Sequence, residues 1–345
     1  MPSPDIVIAG AGLVGLACAL ECQRRGLRVT VLEKGRAGQE ASWAAAGMLA
    51  AHDPANPAAL APLSELSLAL YPGFLEYLRD TSGATVPIET EWTLEAGGDV
   101  SSALFGLSGF RRIAEQSLNP RILMAAVYAA VRQTDILLLD STPVQSIYAT
   151  TTGVEVRTPD AAVHCRRFLD CTGAWSTAHV RPAKGQMLRL HAPGALAAGS
   201  LGNVVVRTHE IYLVPRLDGS VVIGATVEDA GFDKTLHAAD LQQLCEQAAK
   251  LIPAMLHAPL LESWAGLRPA TADQLPLIGS TGPGTYIAAG HFRNGILLAP
   301  ATARVAAQML LDEQPDASMA VFDPDRFTSD KQAAAQATGA VFAQT

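Results

Sequence analysis

Residues 4–33 read PDIVIAGAGLVGLACALECQRRGLRVTVLE, and their reading decides the fold. PDIVIA is a short apolar run rich in Ile, as expected of a parallel strand buried on both faces. Residues 13–25 carry apolar side chains at helical spacing and close on Arg24, Arg25 and Gly26, a stop signal. RVTVLE (residues 28–33) predicts a second strand and completes a βαβ unit. The turn between strand and helix is Gly10-x-Gly12-x-x-Gly15. Gly10 permits the tight turn, Gly12 admits a pyrophosphate against the backbone, and Gly15 lets the helix pack closely on the strand. The helix start offers free N–H groups and partial positive charge to phosphates. Glu33 stands 18 residues past Gly15, where a carboxylate accepts from ribose hydroxyls. An acid there selects an unphosphorylated ribose, hence FAD or NAD rather than NADP.

Three later stretches favour flavin over nicotinamide. ASWAAAGMLA (residues 41–50) is small enough to lie close to a flat ring system. DCTGAWS (residues 170–176) ends a predicted strand in a small-residue turn, a second loop for the dinucleotide. GHFRNGI (residues 290–296) lies between a predicted strand and a helix whose N-terminus can face the flavin's carbonyl edge, where negative charge gathers on reduction. A nicotinamide enzyme needs no such return, so an NAD dehydrogenase is the distant alternative.

Helical periodicity predicts further helices over 60–80, 121–132, 238–252 and 295–312. Strand patterns fall at 135–139, 144–148, 153–158, 163–170, 203–206, 211–215, 220–225 and 285–289, and 331–345 reads as a frayed tail. Strand-rich stretches thus interrupt an α/β scaffold, which implies a discontinuous second domain. With 345 residues, 49% hydrophobic and 17% charged, the chain can bury a large core. A net charge of −8 argues against nucleic acid as partner. No apolar run is expected to span a membrane, and no leader pattern opens the chain, so the expected place is the cytoplasm. The five cysteines show no disulfide or metal-ligand spacing.

Taken together, GAGLVGLACAL (10–20), SWAAAGMLA (42–50), IYLVPR (211–216), GLRPATAD (266–273) and GHFRNGILLAPAT (290–302) resemble glycine oxidases of the thiamine-biosynthesis type. These belong to the D-amino-acid oxidase and sarcosine oxidase group of flavoproteins. The likeness runs from about residue 4 to residue 312. It implies an α/β fold: a Rossmann-like FAD-binding domain (1–79, 112–185, 266–330) with a discontinuous antiparallel-sheet substrate domain (80–111, 186–265). It implies FAD-dependent deamination of glycine, or a similarly small amino acid, to glyoxylate, ammonia and hydrogen peroxide, with dioxygen as acceptor. It also implies a homo-oligomer, a tetramer in many relatives.

The resemblance carries the substrate carboxylate to Tyr212 and Arg268, with Arg293 close by. In isolation Arg268 reads equally as a structural ion pair, Tyr212 as a strand-face aromatic, and Arg293 as a flavin-edge residue. Cofactor contacts carry over to Leu13, Val14, Glu33, Lys34, Ala41, Ser42, Ala46, Gly47, Met48 and Val144. Gly173 and Trp175 join them from the second loop. His291, Phe292, Arg293, Asn294, Gly295, Ile296 and Leu297 would line the isoalloxazine. No catalytic acid or base is expected, since the reaction is hydride transfer from an oriented substrate. The last cysteine, Cys245, precedes the C-terminal loop, so FAD should be non-covalent. The chain departs from the family between Leu94 and Pro120, where it is short. That departure keeps other readings open: oxidation of sarcosine, small D-amino acids or another amine; a membrane-coupled, cyanide-forming dehydrogenase; or a non-catalytic flavoprotein.

Overall fold

The apolar run that opens the chain becomes the strand Ile6–Ala9, buried at every position. In the computed structural model, which describes residues 3–97, 109–192 and 204–327, it lies inside a six-stranded sheet. The sheet order is Leu277–Gly282, Thr285–Ala289, Arg167–Asp170, Ile6–Ala9, Val29–Leu32, Leu137–Leu139. The last five strands run parallel, with Ile6 opposite both Arg167 and Val29, and the first is antiparallel to its neighbour. Parallel strands end at one edge, and a ligand belongs in the crevice beyond that edge.

Among the described residues six α-helices surround the sheets: α1 (Leu13–Arg24), α2 (Ala41–Ala44), α3 (Ala61–Ser82), α4 (Pro120–Arg132), α5 (Ala238–Leu251) and α6 (Gly295–Leu310). Helix α6 is buried almost all round because α1 and α3 both pack on it. Its Ala residues at 299, 301, 303, 306 and 307 permit that closeness. Pro300 removes the N–H that would reach the Ile296 carbonyl. Helix α3 repairs the gap: Tyr71 Oη donates to that carbonyl at 2.6 Å. Ser67 Oγ inserts one residue on, donating to the Leu297 carbonyl at 2.6 Å and accepting from Ala301 N at 3.2 Å. The first turn of α6 is thereby held in place. The helical stretch Ala58–Ser82 is, against expectation, long and apolar enough to cross a bilayer. Its buried face, with Leu63, Ser67, Tyr71 and Leu78, is the face that serves the core.

The second sheet has seven strands, in the order Leu260–Ala270, Arg181–His191, Ser220–Gly224, Tyr212–Pro215, Val204–Arg207, Trp92–Ala96, Phe110–Ile113. The period-2 rule sorts its two faces. Leu188, Leu190, Val206, Leu213 and Ile223 face α5. Met187, Val205, Tyr212, Val214 and Val222 face the other way, with Ala44, Ala46 and Trp264. The strands Arg181–His191 and Leu260–Ala270 lack an apolar signature, because Lys184, Gly185, Gln186, Glu262, Gly266 and Arg268 interrupt them. Both strands run straight through the expected boundaries at 185/186 and 265/266. The single strand expected over 163–170 is two strands in two sheets: Ala162–Cys165 ends a small antiparallel meander, and Arg167–Asp170 joins the parallel sheet. The expected tail, 331–345, lies outside the described residues.

Candidate active site

Backbone geometry builds the dinucleotide end. Gly10 has φ +97°, and a Cβ on it would sit 2.5 Å from the Cys171 carbonyl oxygen. A Cβ on Gly15 would lie 2.0 Å from the Gly10 carbonyl oxygen. Gly12 meets only Ser42 Oγ, at 3.3 Å, so its face stays open. Ser42 Oγ accepts from Leu13 N at 2.9 Å, tying the helix start to the 41–50 loop. Glu33 is buried; its two oxygens accept from Ala11 N at 2.8 Å and Gly35 N at 2.9 Å. The carboxylate therefore braces the glycine turn as well as facing the crevice. Across it, Lys34 Nζ sits 3.1 Å from the centroid of the Trp175 ring, which stacks on Phe232 at 5.3 Å.

From this turn a cavity of about 590 Å³ runs between the two sheets. Its floor is the small-residue loop after α2. Trp264 Nε1 donates to the Ala44 carbonyl at 3.0 Å, and Arg216 Nη2 to the Ala46 carbonyl at 2.6 Å. Gly47 has φ +85°, and a Cβ there would meet the Leu118 carbonyl oxygen at 2.0 Å. The floor is thus close-packed from below and bare above. The cavity collects the sequence-assigned residues from all three flavin stretches, with Val144, Tyr212, Arg268 and Arg293. Gly15 and Leu297 alone are not among its lining residues. Gly15 packs beneath the turn, and Leu297 is a core residue whose carbonyl serves Ser67.

The far end holds the two expected polar groups. Arg268 Nη1 donates to the Thr226 carbonyl at 3.0 Å and reaches the Lys184 carbonyl at 3.5 Å. Its guanidinium covers Gly185, where a Cβ would lie 2.3 Å from Nη1. Tyr212 covers Gly224 in the same way, 2.4 Å from phenol oxygen to a Cβ placed there. Two glycines on adjacent strands therefore cut the niches for the two side chains. Burial raises the Tyr212 phenol above its usual range against the pull of nearby Arg268, so it stays protonated. Among the described residues no carboxylate pairs with Arg268. Arg293 differs: its Nη1 lies 3.6 Å from Asp53 Oδ2, and its side chain is one-third exposed.

The turn Gly290–Asn294 joins the two ends. Phe292 adopts φ 47°, and its N–H donates to the Pro269 carbonyl at 2.7 Å, one residue from Arg268. Asn294 makes no side-chain cap on α6; its Nδ2 goes to Asn56 Oδ1 at 2.9 Å. The first turn of α6 therefore faces the cavity without a side-chain cap. His291 is buried with Nε2 3.0 Å from Thr302 Oγ1, and burial brings its pKa down to about 4. It is neutral at pH 7.

Sequence reading missed one cluster in the wall. Arg207 lines the cavity and is buried among acids: Nη2 is 2.9 Å from Glu95 Oε1, Nη1 2.9 Å from Glu115 Oε2 and 4.0 Å from Asp53 Oδ2. Burial opposes its charge, but Glu115, Asp53 and Glu95 outweigh burial and hold its pKa above the usual guanidinium value. Glu95 and Glu115 both lie in the short 94–120 segment. No motif marks these residues, because each becomes meaningful only beside the others.

A glycine cradle, two helix starts, a bracing acid and a flat floor together fit a flavin dinucleotide. The family described as FAD dependent oxidoreductase (DAO) matches residues 5–309. This chain belongs to that family. FAD is accordingly its cofactor. Among DAO relatives, the bifunctional protein ThiO/ThiG of Nostoc sp. is 32% identical over 95% of this chain and 56% of its own length. The chain thus spans about half the length of that relative. Glycine oxidase of Pseudomonas aeruginosa is 30% identical over 93% of this chain and 99% of its own. The crystal structure of glycine oxidase from Geobacillus kaustophilus superposes with a TM-score of 0.86 at 28% identity, covering 94% and 98% of the two chains.

Proposed function

We propose that this chain oxidises glycine, or an amino acid as small, at its α-carbon. Glycine, dioxygen and water give glyoxylate, ammonia and hydrogen peroxide. One observation carries the reading: Arg268 is a guanidinium without a carboxylate partner among the described residues, at the end of a dinucleotide cavity and beside a protonated phenol. A substrate carboxylate supplies the missing anion. It accepts two parallel N–H bonds from the guanidinium fork and a third from Tyr212. Fixing the carboxylate leaves the α-carbon little freedom, so the rate comes from orientation more than from proton transfer. With its pKa brought down to about 4 by burial and its Nε2 engaged by Thr302, His291 is a weak base and has no proton-abstracting role in this scheme. Bound FAD supplies the two-electron acceptor that passes its electrons to oxygen. The floor of Ala44, Ala46 and Gly47 and the walls of Tyr212 and Met187 give the α-carbon uncharged surroundings.

The remaining parts of the reading are a cytoplasmic homo-oligomer, non-covalent FAD and a place in thiamine biosynthesis. Non-covalent attachment is supported by the thiols. Cys171 lines the cavity, but burial holds its pKa well above the usual value, so it is a poor nucleophile. A second reading, oxidation of sarcosine or a longer amine, is favoured by the continuation of the cavity past Tyr212 to Thr208, His209 and Glu210. The test is anaerobic bleaching of the purified yellow protein by glycine, sarcosine, D-alanine and D-proline in turn, followed by peroxide assay in air. Fastest bleaching by glycine is the expected result. No bleaching by any of the four overturns the proposal.

A further inference from the structure

Beneath Arg268 lies a fully buried cation that the reaction does not use. Lys184, on the strand Arg181–His191, has no exposed side-chain surface. Its Nζ lies 3.0 Å from Glu228 Oε2, a charge contact whose geometry is poor for a hydrogen bond. Glu228 is also the hub of a polar knot. Its Oε1 accepts from Gln186 Nε2 at 2.9 Å and from the Thr226 hydroxyl. Thr226 Oγ1 in turn accepts from Gln186 N at 2.8 Å. The backbones of Lys184 and Glu228 exchange two hydrogen bonds, at 3.0 and 2.9 Å. Gln186 ties the knot to α5, accepting from His237 N at 2.7 Å and donating to Asp240 at 2.5 Å. The two carbonyls that hold the Arg268 guanidinium, those of Thr226 and Lys184, both belong to this knot.

We propose that Lys184 and Glu228 are positioning residues for Arg268: their ion pair pins the Thr226 carbonyl, and that carbonyl aims the guanidinium at the substrate carboxylate. The proposal rests on the carboxylate-binding role of Arg268 argued above. The pair is neutral as a whole, so its influence on the carboxylate is through position, not through field. A buried ammonium that loses its counter-ion must reach water or lose its proton. Lys184 sits mid-strand, whereas Thr226 lies just beyond the strand Ser220–Gly224 and has fewer ladder bonds to hold it. Neutralising Glu228 alone should therefore move Thr226 and loosen Arg268. Neutralising both members should leave Thr226 in place, because no unpaired buried charge then remains.

The test uses FAD-loaded full-length enzyme, with glycine as substrate and glycolate, a carboxylate without an amine, titrated by its effect on the flavin absorbance. Glu228→Gln should raise KM for glycine and Kd for glycolate together, by roughly tenfold or more. Its kcat should fall too, because a looser guanidinium holds the α-carbon less firmly against the flavin once glycine is bound. The double variant Lys184→Met with Glu228→Gln should recover most of the lost affinity, a rescue that general loss of packing does not produce. Thr226→Val keeps the shape and removes only the hydroxyl anchor, so it serves if Glu228→Gln does not fold; a smaller rise in both constants is expected. Unchanged glycolate affinity in Glu228→Gln, or in Thr226→Val where that replaces it, overturns the proposal. So does a double variant no better than the single one. A wild-type enzyme that binds glycolate without oxidising glycine counts against the proposed function and leaves the glycolate comparison to decide this one. A wild type that oxidises glycine but binds no glycolate leaves the proposed function standing, and the rise in KM for glycine in Glu228→Gln with its recovery in the double variant then decides this one; a wild type that does neither overturns both.

Discussion

Arg268 and Arg207 lie on the cavity-facing side of one sheet, yet their surroundings are opposite. Arg207 is wrapped by Glu95, Glu115 and Asp53 and is itself almost completely buried. Arg268 has two main-chain carbonyls and a phenol around it, and no acid among the described residues. A guanidinium whose charge is answered within the protein is part of the wall. One whose charge is answered only by dipoles is waiting for an anion. The difference separates structure from binding more sharply than burial or motif does, and it can be broken or sharpened by experiment.

The largest effect should come from Arg268→Ala. It should lower kcat/KM by roughly a thousandfold, about 4 kcal/mol, while the protein stays folded and yellow. Steady-state kinetics beside a flavin spectrum check it, and normal turnover would sink the comparison from the binding side. Arg207→Met should do the reverse. Three carboxylates lose their shared cation, so stability should fall by about 3–4 kcal/mol in a urea titration. Glycolate affinity of the molecules that remain folded should change by less than about threefold, a shift too small for a lost charge-assisted contact.

His291 is also a buried base, and it avoids the problem by staying neutral. Its folded pKa, about 4, lies below its unfolded value, so the unfolded chain takes the proton first as pH falls. Stability from this group is complete above about pH 6.5 and is lost progressively down to pH 4, by roughly 3 kcal/mol in all. His291→Gln should flatten that acid limb in unfolding measured between pH 7 and 4; an unchanged limb would show that the imidazole is not held neutral. The smallest effect belongs to Tyr212→Phe. Losing one phenol hydrogen bond should weaken glycine binding by about 1 kcal/mol, roughly fivefold in KM. An effect as large as that of Arg268→Ala would mean that the phenol, not the guanidinium, is the main grip.

Most of the fold's frame was legible because its signals are local. Ile6–Ala9, α1 and Val29–Leu32 are set by an apolar run, a helical period and three glycines with separate steric duties. The two longest strands of the second sheet were not legible. Lys184 and Gln186, or Glu262 and Arg268, look like loop residues until Glu228, Asp240 and Arg121 are seen opposite them. The candidate site divides the same way. Tyr212, Arg268 and Arg293 stand in motifs and could be named, while Arg207 and Glu228 stand in none.

The amino-acid order alone therefore determined a dinucleotide turn, its bracing acid and the short list of side chains able to face a flavin. Those depend on contacts within a few residues or on residue type, and local sterics settle them. Tertiary structure decided that Arg268 has no acid beside it among the described residues, which carbonyls aim it, and where two glycines make room for an arginine and a tyrosine. Charge balance inside a protein is a sum over neighbours from distant segments, so only the folded chain contains it.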